Sequence, residues 1–336
     1  EQILKNVKSR NTAQIRIFCF GIGHDVNSMF LDRLAEDNFG ARDYVTPEEN
    51  IEIKVSSFND KISHPVLTNV MLEIPGIDTY DRYPMQLPDL FKGSQLVLYG
   101  RYRSTGPAAV RLSGKVGDQQ RGFQYDAKFP ASESAHDFIP RQWAMAKIGY
   151  LLTQIRLHGE KDELKQEVVR LAKEHGVITP YTSYLVLEDI AVRPAQPGFG
   201  GLRRELEDSG GRLRAGADAL HESKSSGEAV EAGRALDKMK GDAAPGAAQY
   251  GGKDEEVMVL DNVRHMIRNI GSKTFYSDNN VWYDSSYKKG DTTTQVKYMS
   301  DRYFELLGEK PELGKYFALG KHVVVVLDGT AYEVTE

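Results

Sequence analysis

The sequence predicts a multidomain chain that is α/β at its start, antiparallel β through its middle and a small α+β module at its end. Three observations carry that prediction. Strand and helix signals alternate over residues 16–62. From residue 65 to 129 the hydrophobic period becomes two, with Gly and Pro breaks about every ten residues. Near the end, an Asp-Gly pair separates two apolar runs, a strong hairpin signal. The 336 residues, 40% hydrophobic and 27% charged, exceed the ~100–150 of a single domain and hold enough apolar mass for more than one core.

The first sixty residues read as the end of an α/β unit. Arg16-Ile17-Phe18-Cys19-Phe20 is a short apolar run ending at Gly21-Ile22-Gly23, as a buried parallel strand would. Asn27 is placed to cap a helix whose apolar face is Phe30, Leu31, Leu34 and Ala35, with Gly40 as its terminator. Tyr44-Val45 is a second short strand. Thr46-Pro47-Glu48-Glu49 then forms a helix start: Thr46 caps, Pro47 needs no N–H, and Glu49 closes a capping box. That helix carries Ile51, Ile53, Val55 and Phe58 and runs to about Ile62. The order implies parallel strands joined by crossovers. Two strands make no free-standing sheet, so residues 1–62 are expected to be the closing part of a larger one whose beginning lies upstream.

The middle of the chain reads differently. Short strands are expected at 66–74, 96–102, 109–116 and 123–129, together an antiparallel β-sandwich. A helical hairpin follows. Its first helix carries Trp143, Ala144, Ile148, Leu151, Leu152 and Ile155 as one stripe and stops near His158-Gly159. The second starts at Lys161, carries Leu164, Val168 and Leu171, and ends at His175-Gly176. Thr179 to Ser183 is a turn, and 184–188 a strand returning to the sandwich, so this domain spans 63–194. Residues 195–256 are rich in Gly, Ala and charge, with too little apolar area to offset chain entropy, and read as a disordered linker. The last module covers 257–336. It offers a hairpin of 273–276 and 281–283 around 277–280, and a helix capped by Ser300 with Tyr303, Phe304, Leu306 and Leu307. A short helix from Pro311 through Phe317 follows, then the hairpin of 322–327 and 330–334 around Asp328-Gly329.

Composition excludes several function classes. A net charge of −5, from 43 basic against 48 acidic residues, leaves no electrostatic footprint for nucleic acid or an anionic membrane. One cysteine, Cys19, permits no internal disulfide and no Cys-built zinc site. No run of about 18 apolar residues spans a membrane, and no signal-type stretch follows Glu1.

The residues that could carry chemistry each have a simpler structural explanation. Gly21-Ile22-Gly23-His24-Asp25-Val26 sits between a strand and a helix, yet Val26 stands where a dinucleotide loop needs its third glycine, so a tight turn is expected. His24 and Asp25 beside Asn27 are read as turn and cap residues rather than cation ligands. The other histidines, His64, His136, His158, His175, His221, His265 and His322, form no chelating spacing; His158 and His175 fall at helix C-termini, which favour a cation. Cys19, between Phe18 and Phe20, reads as a buried thiol. Thr179, Thr182 and Ser183 lack a nucleophile elbow around them and are expected to satisfy backbone groups. Trp282-Tyr283-Asp284 with Tyr276 and Tyr287 makes an aromatic cluster read as hairpin pairing, and Lys288 and Lys289 beside it are too few for a nucleic-acid platform.

Two stretches carry a family resemblance. Arg16 to Asn27, with Leu31-Asp32-Arg33-Leu34-Ala35 and Tyr44 to Glu49, resembles the closing third of a von Willebrand factor A domain. The variety is that of inter-alpha-trypsin inhibitor heavy chains and of bacterial proteins carrying a VIT domain before the A domain. Trp143 to Leu152, through Gly176-Val177-Ile178-Thr179-Pro180-Tyr181-Thr182-Ser183, resembles the segment following the A domain in those proteins. The match covers roughly residues 1–190, and the last module resembles C-terminal extensions of bacterial members. The resemblance implies a Rossmann-like A domain joined to a β-sandwich, and a non-enzymatic role in adhesion or protein assembly at or outside the cell surface, secreted or periplasmic. The family's metal site uses an Asp-x-Ser-x-Ser loop, a Thr and a later Asp, all upstream of Glu1. No residue here matches them. No catalytic, cofactor-binding or metal residue is therefore assigned in this chain, and Mg²⁺ is expected only in the full-length protein.

The expectation is a non-catalytic binding or scaffold protein with an unidentified protein ligand, no nucleic acid and no membrane span. Two alternatives stand beside it. One is a hydrolase with a site between the sandwich and the last module, pairing His265 or His322 with Asp284 or Asp301. The other is a cytoplasmic signalling or stress adaptor whose linker lets the last module reach a partner.

Overall fold

The computed structural model describes residues 2–13, 15–23, 26–47, 49–92, 94–133, 135–177, 179, 181, 234, 236, 239, 267–278, 280–288 and 291–336. The chain divides into two compact units, one of residues 1–134, 146–161 and 218–251, the other of 135–145, 162–217 and 252–336.

The first unit begins with helix α1 (Gln2–Arg10), which the sequence reading did not anticipate; Leu4 is its buried residue. Strand β1 (Cys19–Ile22) then pairs in parallel with β2 (Arg42–Val45), from Cys19 opposite Arg42 to Ile22 opposite Val45. The expected parallel pair is therefore present, with the first strand starting at Cys19 rather than Arg16. Helix α2 (Ser28–Glu36) lies between them in sequence, and Asn27 caps it by accepting from Phe30 N at 3.0 Å. Two expectations fail at its far side. The left-handed residue after the helix is Phe39, with φ +55°. Gly40 is needed for proximity instead: a Cβ there would lie 1.8 Å from the Ile17 carbonyl oxygen. The most buried stripe of α2 is Ser28, Asp32 and Ala35, spaced i, i+4, i+7, while Phe30, Leu31 and Leu34 are only half-buried.

Helix α3 spans Ile51–Ser63. It starts later than the capping-box reading placed it, because Asn50 is the cap and accepts from Ile53 N at 3.1 Å. Asn ranks above Thr as a cap, and the later position wins. Thr46 and Glu49 still form the reciprocal half of the box: Glu49 Oε2 accepts from Thr46 N at 3.0 Å, closing a turn ahead of the helix. The apolar residues of α3 divide. Phe58 is buried against Phe18 and Phe20, with ring centroids 6.4 and 5.7 Å away. Ile51, Ile53 and Val55 are exposed, at 43, 67 and 43%.

The β region of this unit is antiparallel throughout. Strands β3 (Pro65–Glu73), β5 (Leu90–Phe91), β7 (Gly106–Val116) and β8 (Gln119–Phe129) make a four-stranded sheet in the order β5-β3-β7-β8. Strands β4 (Thr79–Tyr83) and β6 (Tyr99–Tyr102) pair separately. The α/β piece is attached to this region by Arg16, whose Nε donates to Asp89 Oδ2 at 2.8 Å, and by Phe18, 6.3 Å edge-on from Phe91. Helix α4 (Ile139–His158) contributes residues to both units. Its expected single stripe is an underestimate. Gln142, Met145, Ala146, Thr153, Arg156 and Leu157 are buried along with the predicted apolar residues.

The second unit continues with α5 (Asp162–His175), then β9 (Ile267–Ile270), β10 (Lys273–Asp278), β11 (Val281–Asp284) and β12 (Thr293–Lys297). Helices α6 (Asp301–Glu309) and α7 (Leu313–Phe317) precede β13 (Val323–Leu327) and β14 (Thr330–Thr335). The six strands form one mixed sheet, β12-β14-β13-β11-β10-β9. Both expected hairpins are present. Asp328 and Gly329 link β13 to β14 with φ of +51° and +76°, the left-handed pair that a tight turn between twisted strands requires. The β10–β11 turn is tighter than expected, since Asp278 already opposes Val281. Ser300 caps α6, accepting from Tyr303 N at 3.3 Å. Of the apolar residues on this helix, Tyr303 and Leu306 are buried, while Phe304 is 55% exposed. Helix α7 starts at Leu313, two residues after Pro311. Phe275, Leu313, Phe317, Val323, Val325 and Tyr332 are members of one buried apolar cluster. The strand expected at 184–188 and most of the linker expected at 195–256 lie outside the described residues. Of that linker stretch, Arg234, Leu236 and Met239 are helical, and Leu236 and Met239 are buried.

Candidate functional site

The most distinctive chemistry of the described residues is a buried charge cluster in the first unit. Helix α2 projects Asp32 inward at 2% exposure, and Arg156, near the end of α4, meets it: Arg156 Nη1 is 2.9 Å from Asp32 Oδ2. The other guanidinium nitrogen, Arg156 Nη2, donates to Ser28 Oγ at 2.8 Å. Arg42 of β2 pairs with Asp32 Oδ1, and the Tyr44 hydroxyl donates to that same oxygen. One carboxylate thus sits between two guanidiniums and a phenol, so its charge is compensated and its lone pairs are used.

The backbone makes room for this arrangement. Gly21 lies opposite Tyr44 in the β1–β2 register, and a Cβ at Gly21 would fall 2.7 Å from Tyr44 Cδ1 and 2.7 Å from Val26 Cγ1. The glycine read as a candidate phosphate-loop residue is therefore the floor on which the Tyr44 ring rests. Burial, and then the Asp32 charge, raise the Tyr44 hydroxyl above the ordinary phenol range. Burial likewise pushes the neighbouring Cys19 thiol up, opposed by Arg42. Cys19 is 6% exposed and carries no disulfide; a thiol held protonated and covered is a packing residue, as expected.

A second, more open layer adjoins it. Arg234 Nη2 donates to the Tyr44 carbonyl at 2.6 Å and to Glu49 Oε2 at 2.8 Å. Lys54 is 3.0 Å from Glu49 Oε1. The Arg234 hydrogen bond, helped by the Thr46 N–H, lowers the Glu49 carboxyl to about 2. With Ser28, Asp32, Tyr44 and Arg156 all at 6% exposure or less, the inner cluster offers no substrate access and no unpaired base. Its chemistry is that of a clamp.

Among the described residues, the alternative hydrolase pairing of His322 with Asp284 is not formed. Asp284 is 3% exposed and fully engaged: Oδ2 accepts from Lys273 Nζ at 2.7 Å and Val326 N at 3.0 Å, Oδ1 from Ser286 N at 3.0 Å and Ser286 Oγ at 2.7 Å. His322 precedes β13, whose Val323 opposes Trp282, so three strand positions, roughly 10 Å, separate it from the Asp284 level. Its Nε2 is 4.0 Å from Glu336 Oε2 instead. Asp301 opens α6 and is exposed, and His265 lies outside the described residues.

The aromatic cluster follows its hairpin reading, and the other described candidates lie as follows. Tyr283 opposes Tyr276 across β10–β11 and stacks on Tyr287 at 5.9 Å; Arg268 lies 4.7 Å over Trp282. The Tyr276 hydroxyl donates to the Lys173 carbonyl at 2.5 Å and is raised by burial. Thr179 is 1% exposed. His158 and His175 end α4 and α5, and Trp143 packs 6.2 Å edge-on to His175. Lys288 is exposed beside the aromatic hairpin. His24, Asp25, Thr182, Ser183, His221 and Lys289 lie outside the described residues. Among the described residues, no three His, Cys, Asp or Glu side chains converge as metal ligands, and no helix is long and apolar enough to cross a membrane.

The clamp itself was missed in the sequence. Two signals pointed to it: an aspartate spaced i+4 and i−3 from the small residues Ser28 and Ala35, and a lone arginine inside the apolar run 151–157. A charge on a buried face demands a partner.

No family model matches the chain. Curated sequences do. It is 29% identical over 225 residues to mouse inter alpha-trypsin inhibitor, heavy chain 4, which covers 61% of this chain and 24% of that protein. The chain is a relative of the inter-alpha-trypsin inhibitor heavy chains. The human heavy chain H4 is 29% identical over 196 residues, 55% of this chain and 21% of that protein, and rat heavy chain H3 is 27% identical over 198 residues. This heavy-chain relative thus spans about a quarter of the length of the curated proteins it matches.

Proposed function

We propose that the chain is the closing segment of a VIT and von Willebrand factor A protein of the heavy-chain type, and that it works by holding a protein ligand rather than by catalysis. In this reading residues 1–62 are the last strands and helices of the A domain and 63–194 the β region with its helical hairpin. Residues 195–256 are a linker, 257–336 a separate module, and the protein acts at or outside the cell surface. The carrying observation is the parallel β1–β2 pair clamped through Asp32 to Arg156. It is the edge of an α/β sheet tied by buried charge to the helix that follows the β region, as a binding domain mounted on a support requires. Similarity to the heavy chains supports the reading.

The metal site of such an A domain does not fit the residues present. No Asp-x-Ser-x-Ser loop occurs in the sequence, and Asp32 is already neutralised by Arg42 and Arg156. A Mg²⁺-dependent ligand site therefore belongs upstream.

Two measurements test the proposal. The upstream coding sequence is expected to contain the Asp-x-Ser-x-Ser loop, and its absence would remove the metal-dependent half. A screen of ester, peptide and phosphate substrates with the purified chain is expected to show no turnover; turnover abolished by His322→Ala would overturn the non-catalytic reading.

A further inference from the structure

The four-stranded sheet of the first unit has two unlike edges. β5 is two residues long, Leu90–Phe91. β8, at the other edge, is eleven residues long and pairs with β7 in unbroken register from Gln119 opposite Val116 to Phe129 opposite Gly106. It contains no proline and no bulge, two of the devices that blunt an edge, and its charged residues are Arg121, Asp126 and Lys128. Its outward-facing side chains include Phe123 and Tyr125, which are 47 and 58% exposed.

The hairpin register says which backbone groups are open. Val116 and Gln119 flank a two-residue turn and form a hydrogen-bonded pair, so odd-numbered residues of β8 point their N–H and C=O toward β7. Gln120, Gly122, Gln124, Asp126 and Lys128 point theirs away from it, at the open edge.

We infer that this edge is a self-association surface, and that its partner is β8 of a second copy, antiparallel about a two-fold axis through Gln124. Such an axis, perpendicular to the sheet, keeps the same face up in both copies, so each residue meets one of the same parity. Gln124 then exchanges both backbone hydrogen bonds with its own counterpart. Phe123 stands opposite Tyr125 of the second copy, and Tyr125 opposite Phe123, in the non-hydrogen-bonded positions where side chains come closest. Charge is compatible throughout: Asp126 meets Gly122, Lys128 meets Gln120, and Arg121 meets Ala127, so no like charges are opposed. A register shifted by one residue would place Phe123 and Tyr125 on opposite faces and lose both aromatic pairs.

Sedimentation velocity on the full chain tests this. The wild type is expected to shift from one chain mass to twice that mass as concentration rises from low to high micromolar. Gln124→Pro removes an outward N–H while sparing the β7 ladder, because proline is tolerated where the N–H faces away from the sheet; it is expected to abolish the dimer with an unchanged circular dichroism spectrum. Gln124→Cys is expected to form a disulfide-linked dimer under oxidation, since hydrogen-bonded partners have Cα atoms about 5.5 Å apart, within disulfide range. The native Cys19 is buried and is not expected to interfere. A wild type that stays one chain in mass overturns the inference. So does a folded Gln124→Pro variant that still dimerises. If Gln124→Pro does not fold, the cysteine variant decides, and a failure to cross-link in a dimerising protein overturns the register.

Discussion

In the C-terminal module, Phe275, Leu313 and Phe317 are at most 1% exposed in one apolar cluster built on a six-stranded sheet. In the α/β piece, the most buried stripe of α2 is Ser28, Asp32 and Ala35, and α3 leaves Ile51, Ile53 and Val55 in solvent. The module has enough strands to bury its apolar residues against its own helices. A two-stranded parallel sheet does not, and here its position is set instead by directional contacts: Asp32 to Arg42 and Arg156, Arg16 to Asp89, Tyr44 over Gly21. Apolar burial stabilises whatever packs, whereas buried ion pairs penalise every geometry but one. The difference fits a piece that must sit at a defined place on its support.

The sharpest way to break this comparison uses the two tryptophans. Trp143 and Trp282 both belong to the second unit, so fluorescence follows that unit while far-ultraviolet circular dichroism follows both. Phe275→Ala is expected to cost about 3–5 kcal/mol through a core cavity and to lower the urea midpoint seen by fluorescence. Asp32→Ala leaves Arg42 and Arg156 buried without their carboxylate and is expected to cost roughly 3–5 kcal/mol. Its loss should appear mainly in the dichroism transition. Equal shifts of both signals by both variants would show that the units do not differ in this way.

A smaller effect is expected from Gly21→Ala. The added methyl meets the Tyr44 ring and Val26, and overpacking of this kind costs about 1–3 kcal/mol. Tyr44→Ala combined with Gly21→Ala should cost less than the sum of the two, because the clash disappears with the ring. Strict additivity would sink the floor-and-ring argument.

The smallest expected effect is a pH dependence. Arg234 holds the Glu49 carboxyl at about 2, below its ordinary 4.5. A depressed carboxylate stabilises the folded state fully above its unfolded value and loses that contribution as pH falls through the folded one. Glu49→Gln should therefore lower stability near neutral pH by less than about 1 kcal/mol, as half-exposed pairs do. The gap from wild type should close between pH 4.5 and about 2. A gap that widens on acidification would contradict the Arg234–Glu49 assignment.

The parts of the fold legible in the sequence were those governed by neighbours along the chain. The Asn27 and Ser300 caps, the Asp328-Gly329 hairpin and the β1–β2 strands all depend on contacts or angles within a few residues. Errors arose where two local signals competed or a distant group intervened. Asn50 displaced the Thr46 cap, and the Ile17 carbonyl, not a left-handed angle, accounts for Gly40. The aromatic hairpin around Trp282 and the buried state of Cys19 were read as found. Spacing marks Asp32 and Arg156 each as a charge on a buried helix face but could not pair them, since the whole β region separates their two helices in sequence.

Periodicity, caps and turn chemistry settled which of the described segments are helix or strand, because those properties are encoded over one to four residues. Which charge lies beneath which helix, which strand is left at an edge, and which apolar residues go uncovered were settled only by folding. They depend on residues far apart in sequence, and the cost of burying a charge or leaving a backbone open exists only once the chain has brought its partners together or left them absent.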